Sequence, residues 1–591
     1  MNRNSLIDPL RLPVIVSFSG HRDILDTEIP HIHESIKRIF IDLAQKYPNT
    51  NFILCCGMAS GADQEAVLAM YHLKKEKKEI AKRLRILGLL PMPKEHFYKD
   101  FKTIKEKKTF EKTLELADEI FEMPMLESER DEQYMEQTRY LVRRSQILIA
   151  AWNGREGLKG GTGDSVHQFE DKYSESRTVI QTAEGDSNST IVLNRVLHIP
   201  CKRIQDQTLP DEGKPITHAS NLGNQSLHES IKLIDSANQE LSTSETLRKI
   251  QPEKWAVNLG TSIQKTHLEF KIFDKLANFY QVRRKRHWKI VLWILSLGLL
   301  CYELSAFGPI SDIFNNLKTY PIFKNSNYFF LLLYPILLGV AYGFFKFVEI
   351  LNKSDSKTKY LDYRAIAEGL RVQQFWDIAG IKDCVADHYF EQNSAIMRWI
   401  QDVIGNLNFS PQKEITPGKE NRDLIMNLWI KNQITYMINS KKREVSHRKK
   451  LDNLANFLIV LAIIIAFVPA LIGIFEWQAN FPIISVWDLH ISTFNIIEQI
   501  SGFYIGAGVM LAGLVMYHRD KLELDEEIRL KQLSLDIFLD AKRRMTHALE
   551  VEKNLNEWEK MVSNVGEAVL TEHSEWYKMH RSHPASIPWG G

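Results

Sequence analysis

Along its first 205 residues the chain alternates short apolar runs with longer amphipathic ones. VIVSFSG (Val14–Gly20), NFILCCG (Asn51–Gly57), RILGLLP (Arg85–Pro91) and QILIAAW (Gln146–Trp152) are the short runs. Between them, Ile32–Tyr47, Asp63–Lys78 and Met135–Arg144 have the character of helices. Strands that are apolar throughout, rather than alternating, are those buried on both faces. The pattern therefore predicts an α/β domain: a parallel sheet with helices on both faces. RTVIQT (Arg177–Thr182) and TIVLNRVLHI (Thr190–Ile199) are predicted to add strands.

The second half has a different rhythm. Four runs, Ile290–Phe307, Tyr328–Ile350, Leu454–Ile474 and Ile500–Tyr517, approach the roughly 20 helical residues that a bilayer requires. They predict an all-α domain of four membrane spans with long helices outside the bilayer. RRKRHWK (Arg283–Lys289) precedes the first run, and Lys346 and Lys353 close the second. KKREVSHRKK (Lys441–Lys450) precedes the third, and HRDK (His518–Lys521) follows the fourth. The connecting loops hold few basic residues. By the positive-inside rule, both termini and the long middle segment are expected in the cytoplasm, in a multi-pass protein of the inner membrane.

The two hairpins look like copies about 165 residues apart, too far for a solenoid repeat. Each has a basic helical lead-in, two spans and a long helical exit, Tyr360–Gly380 in one and Leu524–Glu550 in the other. In the second exit, Leu524, Ile528, Leu535 and Leu539 share one face, and Leu530, Leu533 and Ile537 roughly the opposite one. Two stripes predict packing on two sides. The expected organisation is residues 1–225 as the α/β domain, 226–420 as a coupling helix and first two-span module, and 421–591 as the second module.

Composition narrows the partners. The chain has 591 residues, 75 basic and 73 acidic, for a net charge of +2, so nothing points to nucleic acid. MNRNSLIDPL has no apolar core and does not read as a secretory signal. Cys55, Cys56, Cys201, Cys301 and Cys384 fit no zinc spacing and suggest no disulfide framework.

The chemistry is expected where the strands end, because open parallel sheets bind ligands beyond their carboxyl ends. Three polar, glycine-containing segments lie there. The first holds Ser19, Gly20, His21 and Arg22; the second Gly57, Ser60, Gly61 and Asp63. The third, WNGREGLKGGTGDSVHQ, holds Trp152, Asn153, Gly154, Gly160, Gly161, Thr162, Asp164 and Ser165. Glycine lets a backbone approach a ligand closely, and helix-opening N–H groups favour anions. Ser60, Thr162 and Ser165 offer hydroxyls, Arg22 a positive charge, and Asp63 or Asp164 an acceptor for a ribose hydroxyl. The three segments together point to a nucleotide-type ligand. Neither a full GxGxxG fingerprint nor a Walker A sequence is present, which disfavours an ordinary dinucleotide dehydrogenase or P-loop ATPase.

SGHRD, GMASGADQEA and AAWNGREGLKGGTGDSVHQ, in this order, resemble the SLOG superfamily of Rossmann-like domains, closest to its bacterial GHR branch, over about residues 10–205. The resemblance implies a sensor of nucleotides or nucleotide-derived messengers, of cyclic nucleotide or ADP-ribose type. Similar domains stand at the cytoplasmic end of melastatin-type TRP channels. The membrane half resembles SLATT modules, two-span effectors found beside SLOG domains in bacterial conflict systems, through YRAIAEGLR, EHSEWYKMH and its architecture. That likeness implies pore formation or membrane disruption in anti-phage defence, by a homo-oligomer because four spans alone rarely enclose a conduit.

Some SLOG relatives, the LOG enzymes, cleave N-glycosidic bonds using a P-G-G-x-G-T-x-E-E motif. Here Lys159 takes the proline position, Asp164 the threonine position, and Val166 and His167 the two glutamate positions. Glycosidic cleavage needs well-placed carboxylates, so sensing is the favoured reading and no catalytic residue is assigned. A membrane-anchored nucleotide hydrolase and a constitutive channel with a purely structural α/β domain are the alternatives. His31 and His33, two apart, do not make a metal site, and HExxH is absent, so no metal is assigned. Lys74, Lys75, Lys77 and Lys78 read as a solvated helix face. Glu303, Glu476 and Glu498 lie near the outer ends of three spans and would favour cations if they ringed a mouth.

Overall fold

The computed structural model describes residues 11–126, 129–173 (without 156 and 158), 178–179, 194–209, 221–306, 356–389, 395–409, 418–478, 484–486, 489–491, 493–548 and 555–582, with four isolated positions between 336 and 343. The chain divides into two compact units. Unit 1 comprises Met1–Lys275, Ala365–Arg422 and Val562–Ser574; unit 2 comprises Leu276–Arg364, Asp423–Met561 and Glu575–Gly591. These units interleave along the chain, whereas the sequence reading drew three consecutive segments.

Unit 1 is built on a seven-stranded sheet. Its strands are β1 (Pro13–Gly20), β2 (Asn51–Cys56), β3 (Leu84–Leu90), β4 (Glu119–Glu122), β5 (Ile147–Trp152), β6 (Thr178–Val179) and β7 (Val196–Pro200). The order is β4-β3-β2-β1-β5-β7-β6, and every pairing is parallel. The longer helices among and after these strands are α1 (Ile29–Lys46), α2 (Ala62–Glu76), α3 (Ile104–Leu116), α4 (Arg130–Arg144) and α5 (Thr162–Tyr173). The Rossmann-like α/β architecture expected from the apolar runs is present. Val14, Ile15 and Val16 are all fully buried, as consecutive residues of a strand are only when both faces are covered. Burying each such side chain contributes about 1.5–3 kcal/mol. The EIFE strand β4 has no apolar run to announce it; it is a half-buried edge paired only with β3.

The strand order reverses at β1. Strands β2, β3 and β4 step away on one side, and β5 starts the other. Both sides therefore meet at the β2-β1-β5 tips, whose loops part in opposite directions.

The opposite, amino-terminal ends of the strands are covered by later helices of the same unit: α6 (Asn221–Thr243) and, further on, α9 (Ala395–Leu407). Asn238 of α6 exchanges two hydrogen bonds with the Leu12 backbone, accepting from its N–H at 2.6 Å and donating to its carbonyl at 2.9 Å. Buried Gln146 accepts from Ile15 N–H at 2.9 Å and donates to Asn406 Oδ1 of α9 at 2.9 Å, while Asn406 Nδ2 donates to Pro13 O at 2.8 Å. Arg144 forms a two-toothed ion pair with Asp387 at 3.0 and 2.8 Å. Backbone groups at the strand starts are thus satisfied by side chains far away in sequence.

Between these helices run α7 (Thr261–Ala306) and α8 (Ser356–Ala379). Gly380, with φ +77°, ends α8: its left-handed backbone lets Ile381 N–H bond back to Trp376 O at 3.0 Å. Within unit 1, α8 packs closely enough on α9 that a Cβ on Gly369 would lie 2.5 Å from Ile404 Cδ1. Cys55, Cys56, Cys201 and Cys384 are free and buried.

Unit 2 is helical. It contains α10 (Asn432–Gln478), α11 (Thr493–Lys521) and α12 (Leu524–His547); α13 (Leu555–Ser582) is the last helix. Two helical stretches, Lys419–Pro469 and Ile500–His547, are long and apolar enough to cross a membrane, with only 11% of the most apolar window of each buried. A core helix of a soluble domain would bury most of that window. Small residues line the seam between α10 and α11: Ala455, Ala462, Ser501 and Ala512 are buried, and a Cβ on Gly508 would touch Ala462 Cβ at 3.4 Å. Such seams let helix backbones approach closely in lipid.

The four spans expected from the sequence are thus represented by two among the described residues. The first run continues helical α7 to Ala306, and the second, Tyr328–Ile350, lies almost wholly outside the described residues. So do the side chains of Glu303, Glu476 and Glu498. Neither of the two apolar stripes expected on α12 is covered along its length; each has buried and exposed members, and the buried face runs between them. Leu524, Leu530, Ser534, Leu535 and Phe538 are buried, whereas Leu533 and Leu539 are each 43% exposed.

Candidate functional site

The loops after β2, β1 and β5 are neighbours because their strands are neighbours. They are stitched together by hydrogen bonds between segments far apart in sequence. Ser19 Oγ donates to Thr162 Oγ1 at 3.3 Å. Asn153 N–H donates to His21 Nε2 at 3.2 Å, and Asn153 Oδ1 lies 3.0 Å from the same nitrogen. His21 N–H donates to Ala151 O at 3.2 Å, and His21 O accepts from Ala62 N–H, the first residue of α2, at 3.0 Å. Burial is the main reason that the His21 imidazole is held below its ordinary pKa, against the Asn153 bond, which raises it. A neutral ring is thereby favoured, able to accept at Nε2.

Glycine is required at two of these contacts. Gly61 has φ +85° and a Cβ there would stand 2.4 Å from the Arg22 carbonyl oxygen. Gly160 has φ +76°, and its Cβ would meet Met135 N at 2.9 Å. Both positions combine a left-handed backbone with a close approach of another backbone, which only glycine satisfies. At the tip of β1, a Cβ on Gly20 would lie 2.4 Å from Ala62 Cβ, so the α2 opening presses directly on this strand.

Several expected ligand residues serve the loops themselves. Asp63 is buried, and its Oδ2 accepts from Ala59 N–H at 3.2 Å. Burial pushes its carboxyl up to about 7, opposed by backbone donors at Ala59, Gly20 and Gly57 and by the Arg22 charge. Asp164 Oδ2 accepts from Gly160 N–H at 2.7 Å, closing the glycine turn. Ser165 Oγ donates to Gly161 O at 3.1 Å. Trp152 is buried, with Nε1 donating to Arg155 O at 2.8 Å and its ring 5.3 Å from that of His198. Asn153 is also buried, and its Nδ2 reaches Asp206 at 3.3 Å. Gly154 has φ +84° at the turn that follows. Gly57 leaves room for Asp63 and Gln137, whose polar atoms would stand 3.1 and 3.0 Å from a Cβ there.

Thr162 and Gly163 at the opening of α5 are buried, and Ser60, Arg22 and Lys159 supply the exposed or half-exposed surface of the tips. α2 and α5 both open at these tips, and the first N–H groups of a helix have no partner in its own ladder. In α5 those are the amides of Thr162, Gly163 and Asp164; the ladder begins with Ser165 N–H on Gly161 O at 3.0 Å. Ser60 lies half-exposed just ahead of α2. Arg22 and Lys159 are exposed, and among the described residues neither is in an ion pair. The Arg22 guanidinium lies 5.1 Å from the centre of the Tyr134 ring. Arg155, by contrast, is held by Asp206 at 3.1 Å, and Arg203 by Asp23 at 2.8 Å. Two helix dipoles and two cations that are in no ion pair among the described residues make the rim attractive to an anion.

Helix α4 supplies residues that the motif reading did not name. Tyr134 underlies Arg22 and bonds Asp100 through its hydroxyl. Thr138 Oγ1 donates to Gly160 O at 3.2 Å, and Gln137 Nε2 donates to Leu89 O at 2.5 Å. Gln133, Gln137 and Thr138 are buried polar residues at helical spacing on an otherwise charged helix. That spacing was the available signal: polar groups where a core face should be apolar.

Among the described residues, no group of three or more His, Cys, Asp or Glu is arranged to hold a metal. The arrangement is a Rossmann-like domain with an anion-attracting rim at its sheet-order reversal, in a chain that also has two helices long and apolar enough to cross a membrane. No family model matches the chain, and no curated protein matches its sequence.

Proposed function

We propose that this protein is a ligand-gated membrane effector of SLOG–SLATT type. A nucleotide-derived messenger, of cyclic nucleotide or ADP-ribose type, binds at the β2-β1-β5 tips. The chain crosses the inner membrane four times with both termini in the cytoplasm, and its spans, with those of further copies, open a pore or disrupt the bilayer. Abortive defence against phage is the corresponding biological role, and it rests on the family resemblance alone.

The observation that carries the sensing part is the presence of two helix openings on the strand tips either side of β1, beside Arg22 and Lys159, neither in an ion pair among the described residues. A phosphate seated there accepts from the helix-opening amides of α5, while Arg22 stacks or pairs with the base or a second phosphate. Binding can move the membrane half only through a difference in affinity between two arrangements. Helix α7 is continuous from the sequence that follows the α/β domain to Ala306 in the first apolar run, and it is the element proposed to transmit that difference.

The test is calorimetric titration of purified protein with cyclic and ADP-ribose-type nucleotides, followed by flux from liposomes with any ligand that binds. Saturable binding that is abolished by Arg22→Ala and Gly161→Val, together with ligand-dependent flux, is expected. Absence of binding, or binding indifferent to both substitutions, refutes the site. The hydrolase reading has less support, because Asp63 and Asp164 both hold backbone N–H groups of their own loops. Product release from AMP-type substrates, lost in Asp164→Asn, would favour it. Flux without ligand, surviving both substitutions, would favour the constitutive channel.

A further inference from the structure

The last three turns of α10 before its apolar run have two unlike faces. Toward one side, charges are matched within unit 2. Glu444 pairs with Lys531 at 3.4 Å, Arg448 with Asp525, and Asp452 with Arg519 at 3.0 Å; Lys441 bonds Gln532. At 100° per residue, positions 441, 444, 448 and 452 form one stripe. The other side carries Lys442, Arg443, His447 and Lys450, centred on the opposite face. All four are exposed, and among the described residues none is in an ion pair. These four, with Asn439 and Ser446, line an open hollow of about 690 Å³. Lys289 of α7 and His447 both act electrostatically on His518 at the end of α11, so further basic groups stand near the same level.

The position along the helix is informative. Lys450 precedes the apolar run that begins at Leu454 by four residues, or about 6 Å, and Arg443 by eleven, or about 17 Å. The headgroup layer of a bilayer extends roughly 5–8 Å beyond the hydrocarbon core. Lys450 therefore stands at headgroup depth, His447 at about 10 Å stands just above it, and long lysine and arginine side chains can reach down toward it. Unmatched cations at this depth complement one chemistry above others, a phosphate diester fixed in the membrane surface.

We propose that this face of α10 binds the headgroup of an anionic phospholipid in the leaflet that the helix enters. Lys450 holds the phosphate, and Arg443 and Lys442 add positive charge further out from the hydrocarbon core. The inference requires that α10 enter a membrane; it does not depend on nucleotide binding at the sheet.

The full chain, delipidated in neutral detergent, is titrated with phosphatidylglycerol or phosphatidylcholine in mixed micelles, with thermal shift as the readout. Phosphatidylglycerol is expected to raise Tm saturably and phosphatidylcholine is not. Each basic residue near an anionic surface changes affinity about fivefold, so the triple variant K442Q/R443Q/K450Q should bind about 100-fold more weakly. K442R/R443K should keep the preference, as should K75Q/K77Q/K78Q, which loses the same charge within unit 1. Three results would each overturn the proposal. They are an unchanged phosphatidylglycerol response in the triple variant, an equal loss in the unit 1 variant, and equally tight binding of soluble glycerol phosphate, which would make the site one for free phosphate.

Discussion

Replacing Glu269 by glutamine should stabilise unit 1 at neutral and alkaline pH. Glu269 lies on α7 with no exposed surface, and neither carboxyl oxygen accepts a hydrogen bond among the described residues. Lys265 Nζ is 3.9 Å from Oε1, too far for a hydrogen bond. Burial pushes the carboxyl up from 4.5 to about 7; the neighbouring Asp377 adds to this and Lys265 opposes it. The sign follows from proton binding. At pH 4.5 and below, folded and unfolded chains both carry the proton. Between about 4.5 and about 7 the unfolded chain ionises first, the folded state holds more protons, and stability falls as pH rises. Above about 7 the loss is complete. At about 1.4 kcal/mol per unit it comes to roughly 3 kcal/mol. Glu269→Gln keeps the shape and removes the ionisation. It should match the wild type near pH 4.5 and exceed it by roughly 3 kcal/mol at pH 8, or about 5–10 °C in Tm. Scanning fluorimetry from pH 4.5 to 8 measures this. Asp377, pushed up to about 6 chiefly by burial, contributes with the same sign, so E269Q/D377N should gain less than the sum of the single variants. Parallel pH profiles for wild type and E269Q, or a variant less stable at pH 8, would refute the reasoning.

Three other substitutions probe the architecture. Gly61→Ala places a Cβ 2.4 Å from the Arg22 carbonyl at φ +85° and should lower stability by about 1–3 kcal/mol; a urea midpoint measures the loss, and nucleotide binding should fall with it. Gly566→Ala directs a methyl to within 2.2 Å of Trp376 Nε1 inside unit 1 and should cost about 1–3 kcal/mol by overpacking, read from the same midpoint; an unchanged value would mean that α13 does not pack on α8 as described. Ile464 and Phe467 are 58% and 61% exposed on the apolar part of α10; I464K/F467D should make insertion of that segment less favourable by roughly 6 kcal/mol and lower the outside activity of a reporter fused after Gln478, and unchanged outside activity would argue against that span.

The central strands were legible because they are buried on both faces, which writes itself as uninterrupted apolar runs such as Ile147–Trp152. The edge strand β4 was not, since a strand half-covered by one neighbour needs no such run. The glycine segments were legible as a group for a local reason: left-handed turns and helix openings are set by neighbours in sequence. The tasks of their side chains were not local. Asp63 and Asp164, read as acceptors for a ribose hydroxyl, each also hold a backbone N–H of their own loop through Oδ2; Trp152 and Asn153 face inward toward His198, His21 and Asp206.

By itself the sequence determined the alternation of elements, the apolar helices and the places where the backbone must turn, because all three follow from residue type and spacing along a few turns or one strand. Only the tertiary structure decided that β1 is the point where strand order reverses. It also decided that the strand starts are sealed by Asn238 and Asn406, that α4 underlies the rim, and that one face of α10 has its charges matched while the other does not. Each of these depends on pairing between segments one hundred or more residues apart, or on which side of a helix a distant partner occupies. Periodicity can say that a helix has a face; the partner that covers it is set by packing.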